Sequence, residues 1–240
     1  MMESGTFMIV QRTESNLLLI TQPDHAALAG RIMREWTTGL LDSSRRDDIL
    51  RAVEEHDNGW REVDRGPILD ASGRILDFVT APDDVRQGVW PRAIERLAGF
   101  PYTAALVAQH AAYVYSRYRS RPEWTAFFTD MDARRDEHLA RLPGASLDEL
   151  LCDYEAVRLG DLISLVFCNA WTDPQAHGRY EIRLDGDDVV VTPDPFAARS
   201  VVIDIEAREL PNHPFASAAD ARRAFDTAPR RTLSGRIRGR

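Results

Sequence analysis

The chain has 240 residues, 44% of them hydrophobic, which suits one large folded core or a core with an appendage. Its formal net charge of -8 argues against a general nucleic-acid binder, whose phosphate contacts need a basic surface. All 30 basic residues are arginine, so Schiff-base and P-loop lysine chemistry are excluded.

Phe7 to Val10 and Leu17 to Ile20 are short apolar runs around Thr13-Glu14-Ser15-Asn16, and predict a β-hairpin. Pro23 and Asp24 open a helix whose apolar stripe is Leu28, Ile32 and Trp36, with His25 near the same face. A second helix spans Asp47 to Glu55, with Ser43 or Ser44 as its cap and Ile49, Leu50 and Val53 as its apolar face. His56 and Asp57 are expected in its last turn, pointing about 100° apart. From Arg61 to Gln87 the sequence reads as a long loop, a length that suits a cover over a pocket. Pro91 starts a short helix to Leu97, Pro101 one to about Arg119, and Pro122 precedes one from Glu123 to Leu142. Ser146 caps a long helix from Leu147 to about Cys168. Beyond it, Tyr180 to Leu184, Val189 to Thr192 and Val201 to Ile205 read as strands, with Asp185-Gly186-Asp187 as a hairpin turn.

These elements predict a mainly α protein: a helical bundle over residues 22–171, flanked by a small antiparallel sheet. That sheet joins the N-terminal hairpin to the strand-rich segment 178–206, giving one α+β domain over 1–210. Residues 211–240, rich in Ala, Arg and Pro, read as a C-terminal extension with a basic tail. Cys152 and Cys168 lack metal-ligand spacing and read as buried thiols of a cytoplasmic protein. No signal peptide and no membrane span is expected. A homodimer stays open.

Four predicted helices each carry metal-capable side chains: His25, then His56 with Asp57, then His110, then Asp161. Asp161 lies in the apolar phrase Gly-Asp-Leu-Ile-Ser-Leu-Val-Phe. A carboxylate there needs a cation or an ion pair, with Arg158 the nearest candidate for the second. His110 reads equally as a core histidine bonded to a carbonyl, and His56-Asp57 alone as a surface pair.

The order His, His-Asp, late Asp resembles the HD-domain superfamily of metal-dependent phosphohydrolases, over roughly residues 22–170. The phrases Thr-Gln-Pro-Asp-His-Ala-Ala-Leu-Ala-Gly and His-Asp-Asn-Gly-Trp-Arg-Glu also look like an uncharacterised bacterial domain-of-unknown-function family. The resemblance implies an HD-like bundle in which His25, His56, Asp57 and Asp161, with His110 as a further candidate, hold a divalent transition metal. Mixed nitrogen and carboxylate ligands suit Mn, Fe, Co, Ni or Zn. Two-metal members carry two histidines between the His-Asp pair and the last Asp. Here His110 matches one, and His138 lies on a charged helix, so one metal, or a second with weaker ligation, is the better reading. The implied activity is hydrolysis of a nucleotide or other small phosphate ester, with Asp57 and His110 catalytic and Arg61, Trp60 and Arg158 binding substrate. Trp60 reads equally as core, and Glu62 and Asp64 as a polar loop. The alternatives are an HD-type iron oxygenase acting on a small organic substrate, and a non-catalytic ligand-binding or regulatory protein on the same scaffold.

Overall fold

The structure, a computed structural model, describes residues 8–240. Phe7, the first residue of the predicted hairpin, lies outside them. Strands β1 (Ile9–Arg12) and β2 (Asn16–Ile20) pair antiparallel, with Ile9 opposite Ile20. Both faces of this hairpin are covered. Ile9, Leu18 and Ile20 join the main core, while Met8, Val10, Leu17 and Leu19 join a second, smaller one.

Helix α1 (Gln22–Arg34) begins where the Thr21 side chain accepts the Asp24 N–H at 3.1 Å, and Leu28 and Ile32 bury its inner face. Helix α2 (Arg46–Glu55) follows a short 3₁₀ turn. It starts at Arg45 without a side-chain cap; the Ser43 hydroxyl instead accepts the Arg45 N–H at 3.2 Å. The chain continues through a 3₁₀ turn, Asn58–Glu62, into a loop pinned by a Leu69–Ile75 bridge. Helix α3 (Asp83–Arg96) then starts eight residues before Pro91, the predicted start; Pro91 sits inside it. Helices α4 (Pro101–Val114), α5 (Thr125–Ala140) and α6 (Leu147–Cys168) complete the body. Ser146 caps α6 through the Glu149 N–H at 3.1 Å. Cys168 is buried as expected, but Cys152 is exposed.

The small antiparallel sheet is the expectation that fails. Strands β3 (Gln175–His177), β4 (Tyr180–Asp185), β5 (Asp188–Thr192), β6 (Ser200–Pro211) and β7 (Arg230–Gly239) join the hairpin in one seven-stranded sheet, ordered β1-β2-β6-β7-β5-β4-β3. The sheet is mixed, because β5 and β7 run parallel. With 48% helix and 21% strand, the fold is α+β rather than a helical bundle with a minor sheet. Nor do residues 211–240 form an appendage. Helix α7 (Ala218–Thr227) places Ala221 and Phe225 over the second core, and β7 is an interior strand. In β7 only Leu233 and Ile237 pack inward. Arg230, Thr232, Ser234 and Arg236 lie opposite Arg208, Glu206, Asp204 and Val202 on the other face. That face carries exposed polar residues, so the apolar alternation that marks a buried strand is diluted.

Two glycines set how closely α1, α2 and α6 approach. A Cβ at Gly30 would stand 2.8 Å from the Glu54 Cβ. One at Gly160 would stand 2.8 Å from Val53 Cγ1 and 2.9 Å from Met33 Cγ. Among the described residues, no helix is long and apolar enough to cross a membrane.

Candidate metal centre

His25 comes from the first turn of α1, His56 from the C-cap of α2, His110 from α4 and Asp161 from the middle of α6. Asp57 follows the cap with its backbone already out of helical geometry. The pair is therefore splayed by the end of the helix, rather than by the 100° step within one. Gly59, two residues on, packs against α3: a Cβ there would meet the Val89 carbonyl oxygen at 2.2 Å. His25 and His56 are fully buried and His110 is 2% exposed, while the side chains of Asp57 and Asp161 keep 12% and 20% exposure. The cluster therefore reaches solvent through its carboxylates.

The ring atoms converge. His25 Nε2 lies 3.2 Å from His56 Nε2, 3.0 Å from Asp57 Oδ2 and 3.7 Å from Asp161 Oδ1. His56 Nε2 lies 3.6 Å from Asp57 Oδ2 and 3.5 Å from Asp161 Oδ1. His110 Nε2 stands farther out, 4.0 Å from Asp161 Oδ2. Two groups of three, His25-His56-Asp161 and His56-Asp57-His110, could each hold a metal ion. Adjacent ligands about 2.1 Å from a shared ion stand roughly 3.0–3.4 Å apart. Five of the six separations among His25 Nε2, His56 Nε2, Asp57 Oδ2 and Asp161 Oδ1 run from 3.0 to 3.7 Å, close to that spacing.

The hydrogen bonds on the far sides of the rings decide which atoms face inward. His56 Nδ1 sits 2.7 Å from the Val53 carbonyl, which can only accept, so Nδ1 carries the proton. The Ser164 hydroxyl lies 2.8 Å from His25 Nδ1 and 2.9 Å from the Asp161 carbonyl and can donate to either. Without a cation, His25 Nε2–H donates to Asp57 Oδ2 at 3.0 Å; with one, Nδ1–H donates to Ser164 and Nε2 is free to ligate. In that ligating arrangement both Nε2 atoms are bare lone pairs, facing each other and two carboxylates. Four acceptors around one point, largely shielded from water, need a positive charge among them. Without a metal, that charge is a proton. Burial opposes it, yet Asp57 and Asp161 outweigh burial and raise the His56 pKa to about 9. The carboxyls of Asp57 and Asp161 are also buried, which works against ionisation, but the neighbouring histidines hold both below the usual range. Burial and the adjacent His56 push His110 down to about 4, so its ring is neutral near pH 7. The donor set thus fits a divalent cation: two neutral imidazoles and two carboxylates balance its charge.

The remaining sequence candidates are placed as follows. Arg158 does not pair with Asp161; it bonds Glu155 at 2.8 Å and the Tyr113 hydroxyl, and lies 4.0 Å over the Tyr113 ring. It sits one turn from Asp161 on α6. Arg61 is exposed and pairs with Glu55 at 3.0 Å. Trp60 is buried in the main core. Glu62 bonds Arg96, and Asp64 accepts the Gln22 N–H at 2.6 Å. His138, on α5, has no part in the cluster. Sequence reasoning missed Ser164 and Tyr154, whose hydroxyl is 3.0 Å from His110 Nδ1. The spacing held a signal: each lies an i±3 or i±7 step from Asp161, on the same side of α6. A cleft of about 430 Å³ between α1, β6 and α7 is lined by none of the cluster residues; its Arg222 and Arg230 are matched by Asp226 and Glu206.

A sequence model of the family described as "Protein of unknown function (DUF3891)" matches residues 8–212. No curated protein and no solved structure matches the chain.

Proposed function

The chain belongs to the DUF3891 family, and from its buried histidine–aspartate cage we propose that it is a metal-dependent phosphohydrolase, with the ligand order of the HD-domain superfamily, acting on a nucleotide or other small phosphate ester. One observation carries the reading. Asp161 faces His25, His56 and His110, and among the described residues no arginine ion pair neutralises it. His25, His56, Asp57 and Asp161 would hold the ion. Their mixed nitrogen and oxygen donors suit Mn, Fe, Co, Ni or Zn. When bound, such a cation acidifies water and polarises a phosphoryl oxygen.

The chain's own groups supply the rest. Val53 and Ser164 hold the Nε2 lone pairs of His56 and His25 inward. Asp57 and Asp161 stay ionised through the physiological range. Their partial exposure leaves an entry for a small substrate, whereas the buried rings exclude bulk water. Arg158, one helical turn from Asp161, would supply the guanidinium fork for a phosphate. Elemental analysis of protein purified without a metal-binding tag, followed by a phosphatase panel with Mn or Ni under nitrogen, tests the proposal. We expect phosphate release without oxygen, and loss of bound metal in His56→Ala and Asp161→Ala. Full metal content in both variants overturns it.

A further inference from the structure

The three histidines of the cluster are not equivalent. Tyr154 is buried, and its hydroxyl proton needs an acceptor. The acceptor found within hydrogen-bond distance is His110 Nδ1, at 3.0 Å. If His110 Nδ1–H donated instead, that hydroxyl proton would be left in the interior without a partner. The Tyr154 O–H therefore donates, His110 Nδ1 accepts, and the His110 proton is on Nε2. His56 has the reverse arrangement, with its proton on Nδ1. A second consideration agrees. A bare His110 Nε2 would turn a lone pair toward Asp161 Oδ2, whereas an N–H there is attracted.

We infer that Tyr154 makes His110 a hydrogen-bond donor, not a metal ligand, so that the site takes one ion and offers the His110 Nε2–H to an oxygen of an anionic substrate. The 4.0 Å gap to Asp161 Oδ2 is too long for a direct hydrogen bond, which leaves that N–H free for a water or a substrate oxygen. Tyr154 is then a positioning residue. Its ring meets the Tyr113 ring edge-on at 5.7 Å, and the partly exposed Arg158 guanidinium lies 4.0 Å over Tyr113. The inference rests on the metal reading for its count of one ion, but the ring tautomer is independent of it.

The test uses the full chain. Calorimetric titration with Zn²⁺ should give one ion per chain. Nitrogen-15 NMR of the histidine rings should show Nε2–H for His110 and Nδ1–H for His56. In Tyr154→Phe, Zn²⁺ affinity should stay within about threefold, the His110 tautomer should become mixed, and inorganic phosphate should bind the Zn²⁺-loaded protein about tenfold more weakly. Two ions per chain, an Nδ1–H on His110, or a loss of Zn²⁺ in Tyr154→Phe as large as in His56→Ala would each overturn it. If the wild-type protein takes up no Zn²⁺, the metal reading fails, and the His110 tautomer in the metal-free protein still decides the present inference.

Discussion

At the scale of single residues, the cluster makes the protein's stability depend on pH in a way that a cation should abolish. His56 has its pKa raised from 6.5 to about 9 in the folded chain. Its contribution is therefore complete below pH 6.5 and is lost as pH rises through 9. His110 is shifted the other way, from 6.5 to about 4, so its contribution is present above 6.5 and fades as pH falls toward 4. The lowered carboxyls of Asp57 and Asp161 act in the same direction on the acid side. Metal-free protein should then be most stable near pH 6.5 and should lose on the order of 3 kcal/mol from this group by pH 9. A saturating divalent cation replaces the His56 proton, so the alkaline decline should vanish. Melting curves from pH 5 to 9, with and without Zn²⁺, check both statements; an alkaline decline that Zn²⁺ leaves unchanged would contradict the assignment. The same substitution of cation for proton predicts that Zn²⁺ binding at pH 7.5 releases close to one proton per chain, read as the buffer dependence of the binding enthalpy. The candidate ligands were legible in the sequence because they follow the order His, His-Asp, late Asp on helices that each carry an apolar face. Val53 and Ser164, which turn the rings, were not, since a backbone carbonyl and a hydroxyl in a helix carry no compositional mark.

Among the elements, the three-helix junction governs the site. Gly160 precedes Asp161 and lies against Val53 and Met33, so any side chain there drives α6 away from α1 and α2. Gly160→Val should lower stability by about 1–3 kcal/mol and, by displacing Asp161, weaken metal binding at least about tenfold. Gly88 is the control. It lies within α3, and a Cβ there would meet nothing within 4 Å. Gly88→Ala should stabilise the protein by about 0.5–1 kcal/mol with metal affinity unchanged. Calorimetry and metal titration of the two variants distinguish a local effect of helix spacing from a general effect of stability. Helices α1, α2 and α6 were readable because 3.6-residue periodicity, Pro23 and Ser146 mark them. Helix α3 was not, because Pro91 looks like a beginning when Asp83 and Asp84 already form the first turn. Helix α7 escaped because its buried side is only Ala221 and Phe225.

For the whole molecule, the interior position of β7 matters most. It pairs with β6 from Arg230 to Arg238 and with β5 from Ile237 to Gly239, so it bridges the two halves of the sheet. Deleting residues 229–240 should open two strand edges, reduce solubility and lower the melting midpoint by about 10 °C or more. Circular dichroism and size-exclusion chromatography of the shortened chain check this. An unchanged midpoint would mean that β5 and β6 close without it. The helical body could be inferred from sequence because each helix carries its own signal. The sheet could not, because its centre is a strand whose partners are far away in sequence and whose outward face is polar.

That arrangement also bears on how the protein is made. The ribosome delivers β7 after every other strand of the sheet, so β5 and β6 emerge with open edges and no neighbour between them. The body carrying the histidines can pack during synthesis, but the sheet can close only once β7 has cleared the exit tunnel. During that interval the nascent chain shows unpaired backbone to its surroundings.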